Sequence, residues 1–234
     1  MSKWQNSLAA TIQWSNDISN KDAKEEVAKK VAERVKDGDV IGVGSGSTSF
    51  LAVQAIAKKM KYHHLSVTAI PTSHEVEVVC AALNIPTTSL TSQKPDWAFD
   101  GADEVDEQRN LIKGRGGAMF HEKLVMASSP ENYILVDPSK FVKVLGENFA
   151  VPMEVDARAL HLVEHQLSDF PVEEVTLRQA ESKDGPVITE AGNLIIDVRF
   201  ATIEDDFETR LAAIPGIIET GLFMGYDVEL LTVQ

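Results

Sequence analysis

The stretch DGADEVDEQRNLIKGRGGAMFHEK, Asp100 to Lys123, sets the carboxylates Asp100, Asp103 and Glu122 and the ammonium groups Lys113 and Lys123 among closely spaced glycines. DWAFDGADEV predicts a strand over 97–99 that runs into a turn at Asp100-Gly101. KGRGGA predicts a glycine-rich loop that feeds a helix from about Ala118, with Glu122 and Lys123 on its first turns. A carboxylate at a strand end, a lysine on a loop and a carboxylate on the next helix can converge on one cleft of an open α/β sheet. Carboxylates held close together beside cations take different pKa values and can divide acid and base work. The competing explanation is a solvated acidic turn followed by an ordinary helix start.

A second stretch, DVIGVGSGSTSFLAVQAIAKKM, predicts a strand over 39–43, a glycine–serine loop over 44–47 and a helix over 48–60. Backbone donors and the dipole of such a helix point at an anion, and Ser45, Ser47 and Thr48 add hydroxyl donors. The loop lacks the Gly-Lys-Ser/Thr of a nucleotide triphosphatase. Ser47 also stands where the last glycine of a dinucleotide fingerprint would be. A small phosphate or carboxylate suits it better than a dinucleotide, and a tight βα turn without a ligand is the alternative.

The 234 residues suffice for one large domain or two small ones, and 44% hydrophobic with 25% charged residues is ordinary for a globular protein. No apolar run reaches the roughly 20 residues of a membrane span. The N-terminal stretch has no secretory h-region. A single cysteine, Cys80, fits a reducing cytoplasm and is expected to be a buried small hydrophobe. A net charge of −14 argues against nucleic acid or an anionic membrane as partner. An anionic substrate would therefore need a local island of cations and backbone N–H groups.

In chain order, residues 1–20 form an N-terminal segment that the pattern leaves unassigned, a short helix carrying Trp4, Leu8, Ile12 and Trp14 being one reading, and residues 21–36 read as an amphipathic helix. Strands are expected over 67–70, 85–90, 110–113 and 133–137, with a helix from His74 to about Leu83. Strand–helix alternation implies a parallel sheet. Lys140 then follows a strand end. Beyond Gly146 the pattern becomes strand, helix over 157–170, strand, strand, helix over 205–214, and strand over 216–223. That β-α-β-β-α-β order is the split ferredoxin-like unit. The expected fold is α/β: a Rossmann-like, mostly parallel sheet over 1–146 and 224–234, with a smaller ferredoxin-like α+β domain over 147–223.

GVGSGSTS (42–49), DGADEVD (100–106), KGRGGAMFHEK (113–123) and NLIIDVRF with PGIIETGLF (193–200 and 215–223) together resemble the type A ribose-5-phosphate isomerases. The resemblance covers nearly the whole chain after residue 20. Its most specific part is DGADE followed, ten residues after Asp103, by the lysine of the glycine loop. It implies a metal-independent, cofactor-free interconversion of ribose 5-phosphate and ribulose 5-phosphate by a cytoplasmic dimer or tetramer with a ferredoxin-like lid. By position, Glu122 resembles the general base between C1 and C2, and Lys113 the cation that steadies the enediolate. Asp100 resembles the group that handles a hydroxyl proton in ring opening, with Asp103 its neighbour. Ser45, Gly46, Ser47 and Thr48, with Gly101, Ala102, Gly114, Arg115 and Gly116, resemble binding-loop positions. Lys140 and Lys24 resemble phosphate- or substrate-contacting lysines. Arg115 departs from the family's usual glycine and is either a surface residue or an added donor.

HLVEH (161–165) has the His-x-x-Glu-His spacing of a zinc peptidase, but no acidic third ligand has an evident place nearby. His63, His64 and His74 read as surface residues or caps, and His121 should point away from Glu122's face of the helix. Two rival functions are a sugar-phosphate sensor and an acyl-CoA transferase. The first normally carries a DNA-binding helix-turn-helix, for which residues 1–20 are too short. The second calls for a longer chain or partner subunit and a glutamate on a strand-end turn.

Overall fold

The computed structural model describes residues 11–12, 14, 17–181 and 183–233. The short helix that residues 1–20 could form falls mostly outside them. In chain order the elements begin α1 (Lys21–Arg34), β1 (Val40–Val43), α2 (Ser47–His63), β2 (Thr68–Pro71), α3 (His74–Ala82), β3 (Trp97–Gly101), β4 (Glu104–Val105) and β5 (Leu111–Ile112). They continue with α4 (Met119–Ser128), β6 (Asn132–Leu135), β7 (Val151–Val155), α5 (Leu160–Leu167), β8 (Val172–Leu177) and β9 (Leu194–Phe200). The last are α6 (Phe207–Ala212), β10 (Ile217–Thr220), β11 (Leu222–Phe223) and β12 (Glu229–Leu231).

The chain divides into two compact units. One comprises Met1–Gly101, Leu124–Ser139 and Asp227–Gln234, and the other Ala102–Lys123 and Lys140–Tyr226.

In the first unit five strands run parallel in the order β12-β6-β3-β1-β2. Their interiors are continuously apolar because a parallel sheet is covered on both faces. α1 buries Val27, Ala28, Val31 and Ala32, the 3–4 residue stripe read from its sequence. These pack with Ile41, Val43, Leu51, Ile56, Phe99 and Leu135 in one core. Cys80 lies in it fully buried, and desolvation pushes its thiol up to about 12, so it acts as a small hydrophobe. After β1 the chain winds outward to β2 and then returns to the other side of β1 as β3. The topological switch point therefore lies between β1 and β3, where open α/β sheets place their ligands.

The strand expected over 85–90 reduces to a single bridge between Ala69 and Thr87. Pro86 has no N–H to extend the pairing, though its carbonyl accepts from the Ala69 N–H (2.8 Å).

In the second unit an antiparallel sheet runs β10-β7-β9-β8, and its strands and helices follow one another as β7-α5-β8-β9-α6-β10. That is the ferredoxin-like order expected from the sequence. Val151, Met153, Val155, Ile196 and Val198 point to one side and pack with Val163 and Leu167 of α5 and Phe207 and Leu211 of α6. The helix expected over 157–170 is shorter. A 3-10 turn, Ala157–Ala159, precedes α5, and the Asp156 carboxylate caps it by accepting from the Arg158 N–H (2.9 Å). The strand expected over 216–223 is broken in two. β10 pairs with β7, whereas β11 pairs with β5 in a separate three-stranded sheet. The break is at Gly221, whose N–H donates to Pro152 O (2.7 Å). A Cβ there would lie 2.2 Å from Lys113 O, so only glycine fits.

Candidate active site

In the first unit the candidate residues gather at the C-terminal ends of β1, β2, β3 and β6. Gly44 follows β1, and its N–H donates to Phe99 O (2.8 Å). A Cβ on Gly44 would lie 2.6 Å from Asp100 Cα and 2.2 Å from its carboxyl carbon. The glycine is thus what lets the loop lie against Asp100. That carboxylate is buried, and its Oδ1 accepts from the Gly101 N–H (2.7 Å).

The glycine–serine loop then enters α2 through Gly46, which adopts φ 92° as N-cap. Gly46 has no side chain to cap the helix, so the first N–H groups of α2 stay available to an anion. Ser45 Oγ lies 2.9 Å from Thr72 Oγ1 and 3.1 Å from Ser73 Oγ. Lys24, buried, donates to Ser47 Oγ (3.1 Å). Asp137, at the end of β6, is also buried. Burial would raise its carboxyl pKa, but hydrogen bonds from the Ser139 hydroxyl and N–H and the Asn20 amide, with the charge of Lys24, hold it below the usual carboxylate range.

In the second unit Lys113 follows β5 and Glu122 sits on the first turn of α4. Their charged atoms approach to 3.1 Å, with side-chain exposures of 3% and 7%. Such a pair is stable only when both partners are present, because either charge left alone in a dry site is costly. The connecting loop is held at alternate residues. The Lys113 N–H donates to Gly221 O (2.9 Å), the Arg115 N–H to Asp103 Oδ2 (3.1 Å) and the Gly117 N–H to Gly114 O (3.0 Å). Gly114 at φ 107° and Gly117 at φ 78° take left-handed conformations that the turn demands. Asp103 thus meets the loop backbone, and Arg115 and Gly116 are exposed on it. Lys140 is half-buried, its Nζ 5.4 Å from the Phe149 ring centre.

Lys123 has a different task. Its Nζ donates to Glu208, Glu219 and Leu222 O, each at 2.7 Å, and stands 4.6 Å from the Phe223 ring centre. This ammonium pins α4 to the segments around α6 and β10–β11. Lys123→Met should lower stability by about 3–5 kcal/mol in urea unfolding, because two partly buried carboxylates lose their cation. His121 turns towards Glu190 (3.9 Å). His161 is fully exposed, and among the described residues no three His, Cys, Asp or Glu side chains gather as a metal set. No helix among them is long and apolar enough to cross a membrane.

The structure adds residues that motif reading does not single out. Thr72 and Ser73 reach the glycine–serine loop from the end of β2. Arg178, just after β8, reaches the glycine loop of the second unit and is held there by Asp197 of β9. Arg178 looks like one more strand-end cation in the sequence, and only the β8–β9 register reveals its partners.

The family model described as ribose 5-phosphate isomerase A (phosphoriboisomerase A) matches residues 68–233. A ribose-5-phosphate isomerase A of Methanocaldococcus jannaschii is 44% identical over 216 residues, covering 91% of this chain and 95% of its own. The solved structure of ribose 5-phosphate isomerase A from that organism superposes with a TM-score of 0.87 at 42% identity, covering 92% of this chain and 96% of that one. A D-ribose-5-phosphate isomerase solved in complex with phospho-erythronic acid also superposes at 0.87, with 38% identity and the same coverage of both chains.

Proposed function

Because this chain belongs to the ribose 5-phosphate isomerase A family, we propose that it interconverts ribose 5-phosphate and ribulose 5-phosphate by proton transfer through an enediolate. The observation that carries this reading is the buried Lys113–Glu122 pair. A hydrogen on the carbon next to a carbonyl needs a carboxylate in contact range and a cation at the carbonyl oxygen. Glu122 takes the proton from C2 of the open-chain aldose and returns it to C1, while the C2 hydroxyl proton passes to O1, so that the carbonyl moves from C1 to C2. Lys113 holds the negative charge that develops on the oxygen between those steps.

Ring opening removes the proton of the C1 hydroxyl and returns one to the ring oxygen. Asp100 is assigned that exchange, with Asp103 beside it in the sequence. The loop 44–48 with Lys24 is assigned the phosphate. A helix N-terminus, hydroxyl groups and a buried lysine supply the cationic island that a chain of charge −14 requires. Gly101, Ala102, Gly114, Arg115, Gly116 and Lys140 complete the binding positions. The phospho-erythronate bound by a relative of the same fold is a sugar-acid phosphate, which supports a sugar phosphate as ligand.

In the same reading the chain works in the cytoplasm, needs no metal or cofactor, and assembles as a homodimer or homotetramer. Residues 147–223 then serve as lid and oligomerisation domain, and 1–146 with 224–234 as catalytic domain. Apolar side chains exposed just ahead of residue 147, Val144 at 65% and Phe141 at 44%, support a partner subunit near the start of that domain. The test is an assay of the purified protein with ribose 5-phosphate in excess chelator. Ribulose 5-phosphate should form at an undiminished rate. Binding without turnover would instead mark a sensor.

A further inference from the structure

The face of the four-stranded sheet turned away from α5 and α6 carries the glycine loop. In the β7–β9–β8 register, Pro152 lies opposite Asp197 and Asp197 opposite Thr176. The Arg178 N–H donates to Ile195 O (2.9 Å), so Arg178 lies diagonally across from Asp197. Alternation along the strands puts Pro152, Ile195, Asp197 and Arg178 on one face. The loop glycines rest on that face. A Cβ on Gly114 would come within 3.2 Å of Pro152, and one on Gly117 within 2.8 Å of Ile195 Cδ1.

The Arg178 guanidinium spans the two. Its Nε and Nη2 are held by the two carboxylate oxygens of Asp197, the Nε contact at 2.8 Å. Its Nη1 donates to Gly114 O (2.9 Å) and Arg115 O (3.0 Å). Side-chain exposures of 18% and 23% for Arg178 and Asp197 keep the pair largely out of water. A planar fork gripped on one edge by a carboxylate has its other edge fixed in direction. Here that edge orients the two peptide carbonyls immediately after Lys113.

We infer that Arg178, aimed by Asp197, is a positioning residue that sets the glycine loop so that the Lys113 ammonium stands at the Glu122 carboxylate. The inference rests on the reading of Lys113 and Glu122 as the reacting pair. Arg178 does not touch the reacting atoms. Its effect should therefore appear in the rate of the chemical step and not in substrate affinity.

The experiment compares Arg178→Ala, Arg178→Lys and Asp197→Asn with the natural enzyme in steady-state isomerase kinetics and urea unfolding. Arg178→Ala should lower kcat by about 10–100-fold, the scale of an ångström-sized misplacement at a reacting centre, with KM within about threefold. Low concentrations of guanidinium ion should restore part of the lost rate by refilling the fork site. Arg178→Lys, which keeps the charge but not the fork, should stay impaired. A folded Arg178→Ala enzyme within twofold of the natural kcat would overturn the inference. Loss of rate together with stability and without rescue, or full activity in Arg178→Lys, would do the same. If Arg178→Ala does not fold, Asp197→Asn decides: a lowered kcat with KM preserved supports the positioning role, and an unchanged kcat refutes it. Full rate in Glu122→Gln would refute the underlying reading instead, whatever the Arg178 variants do.

Discussion

Glu122→Gln lowers kcat by about 10²–10⁴-fold, the usual worth of a general base, while KM for ribose 5-phosphate changes little. The substitution keeps the shape of the side chain and removes its ability to take a proton from carbon. It also leaves Lys113 without its counter-charge at 3.1 Å in a site where both groups are nearly dry. A loss of stability should therefore accompany the loss of rate, since removing one partner of a buried pair costs about 3–5 kcal/mol. The two effects are separable, because rate is read on the folded fraction and stability in urea. Isomerisation by Glu122→Gln near the natural rate would show that another group moves the proton.

The second large effect is expected of Lys113→Met. Loss of a preorganised donor to an oxyanion typically costs about 10²–10³ in kcat, and here it also strands the Glu122 carboxylate. The informative measurement is the double variant Lys113→Met/Glu122→Gln. Its stability should recover towards that of the natural protein, because no lone charge is left buried. Its kcat should be no worse than that of the poorer single variant, because residues that act as one unit are not additive in their losses. Stability losses that simply add would mean that the two groups do not pair in solution.

Much of this architecture is visible in local pattern. The apolar stripe of Val27, Ala28, Val31 and Ala32 marks α1, and the run from Val40 to Val43 marks a strand buried on both faces. The β-α-β-β-α-β order beyond Gly146 identifies the second sheet, since helix and strand periods are written in adjacent residues. The weak points were local conflicts between pattern and backbone chemistry. Pro86 cut a promising apolar strand to one bridge, and Gly221 divided another between two sheets. In both cases a single residue outweighed the propensity of its neighbours.

Among the functional groups, the chain alone marked the positions where chemistry could occur. Asp100, Asp103, Lys113 and Glu122 stand in a motif whose composition suits proton transfer, and the glycine–serine loop before α2 suits an anion. It left open which cation meets a carboxylate of the motif and which is held by distant segments. Lys113 and Lys123 read alike in one dimension. In three, Lys113 meets Glu122, while Lys123 is consumed by two glutamates and a carbonyl from beyond residue 207. Nor could spacing reveal Arg178 and Asp197, whose link to the Gly114 and Arg115 carbonyls depends on strand register across more than sixty positions of chain. Residue type and short-range periodicity are local properties and can be read directly. The partner of a buried charge is set by sheet register and packing, which no local stretch encodes.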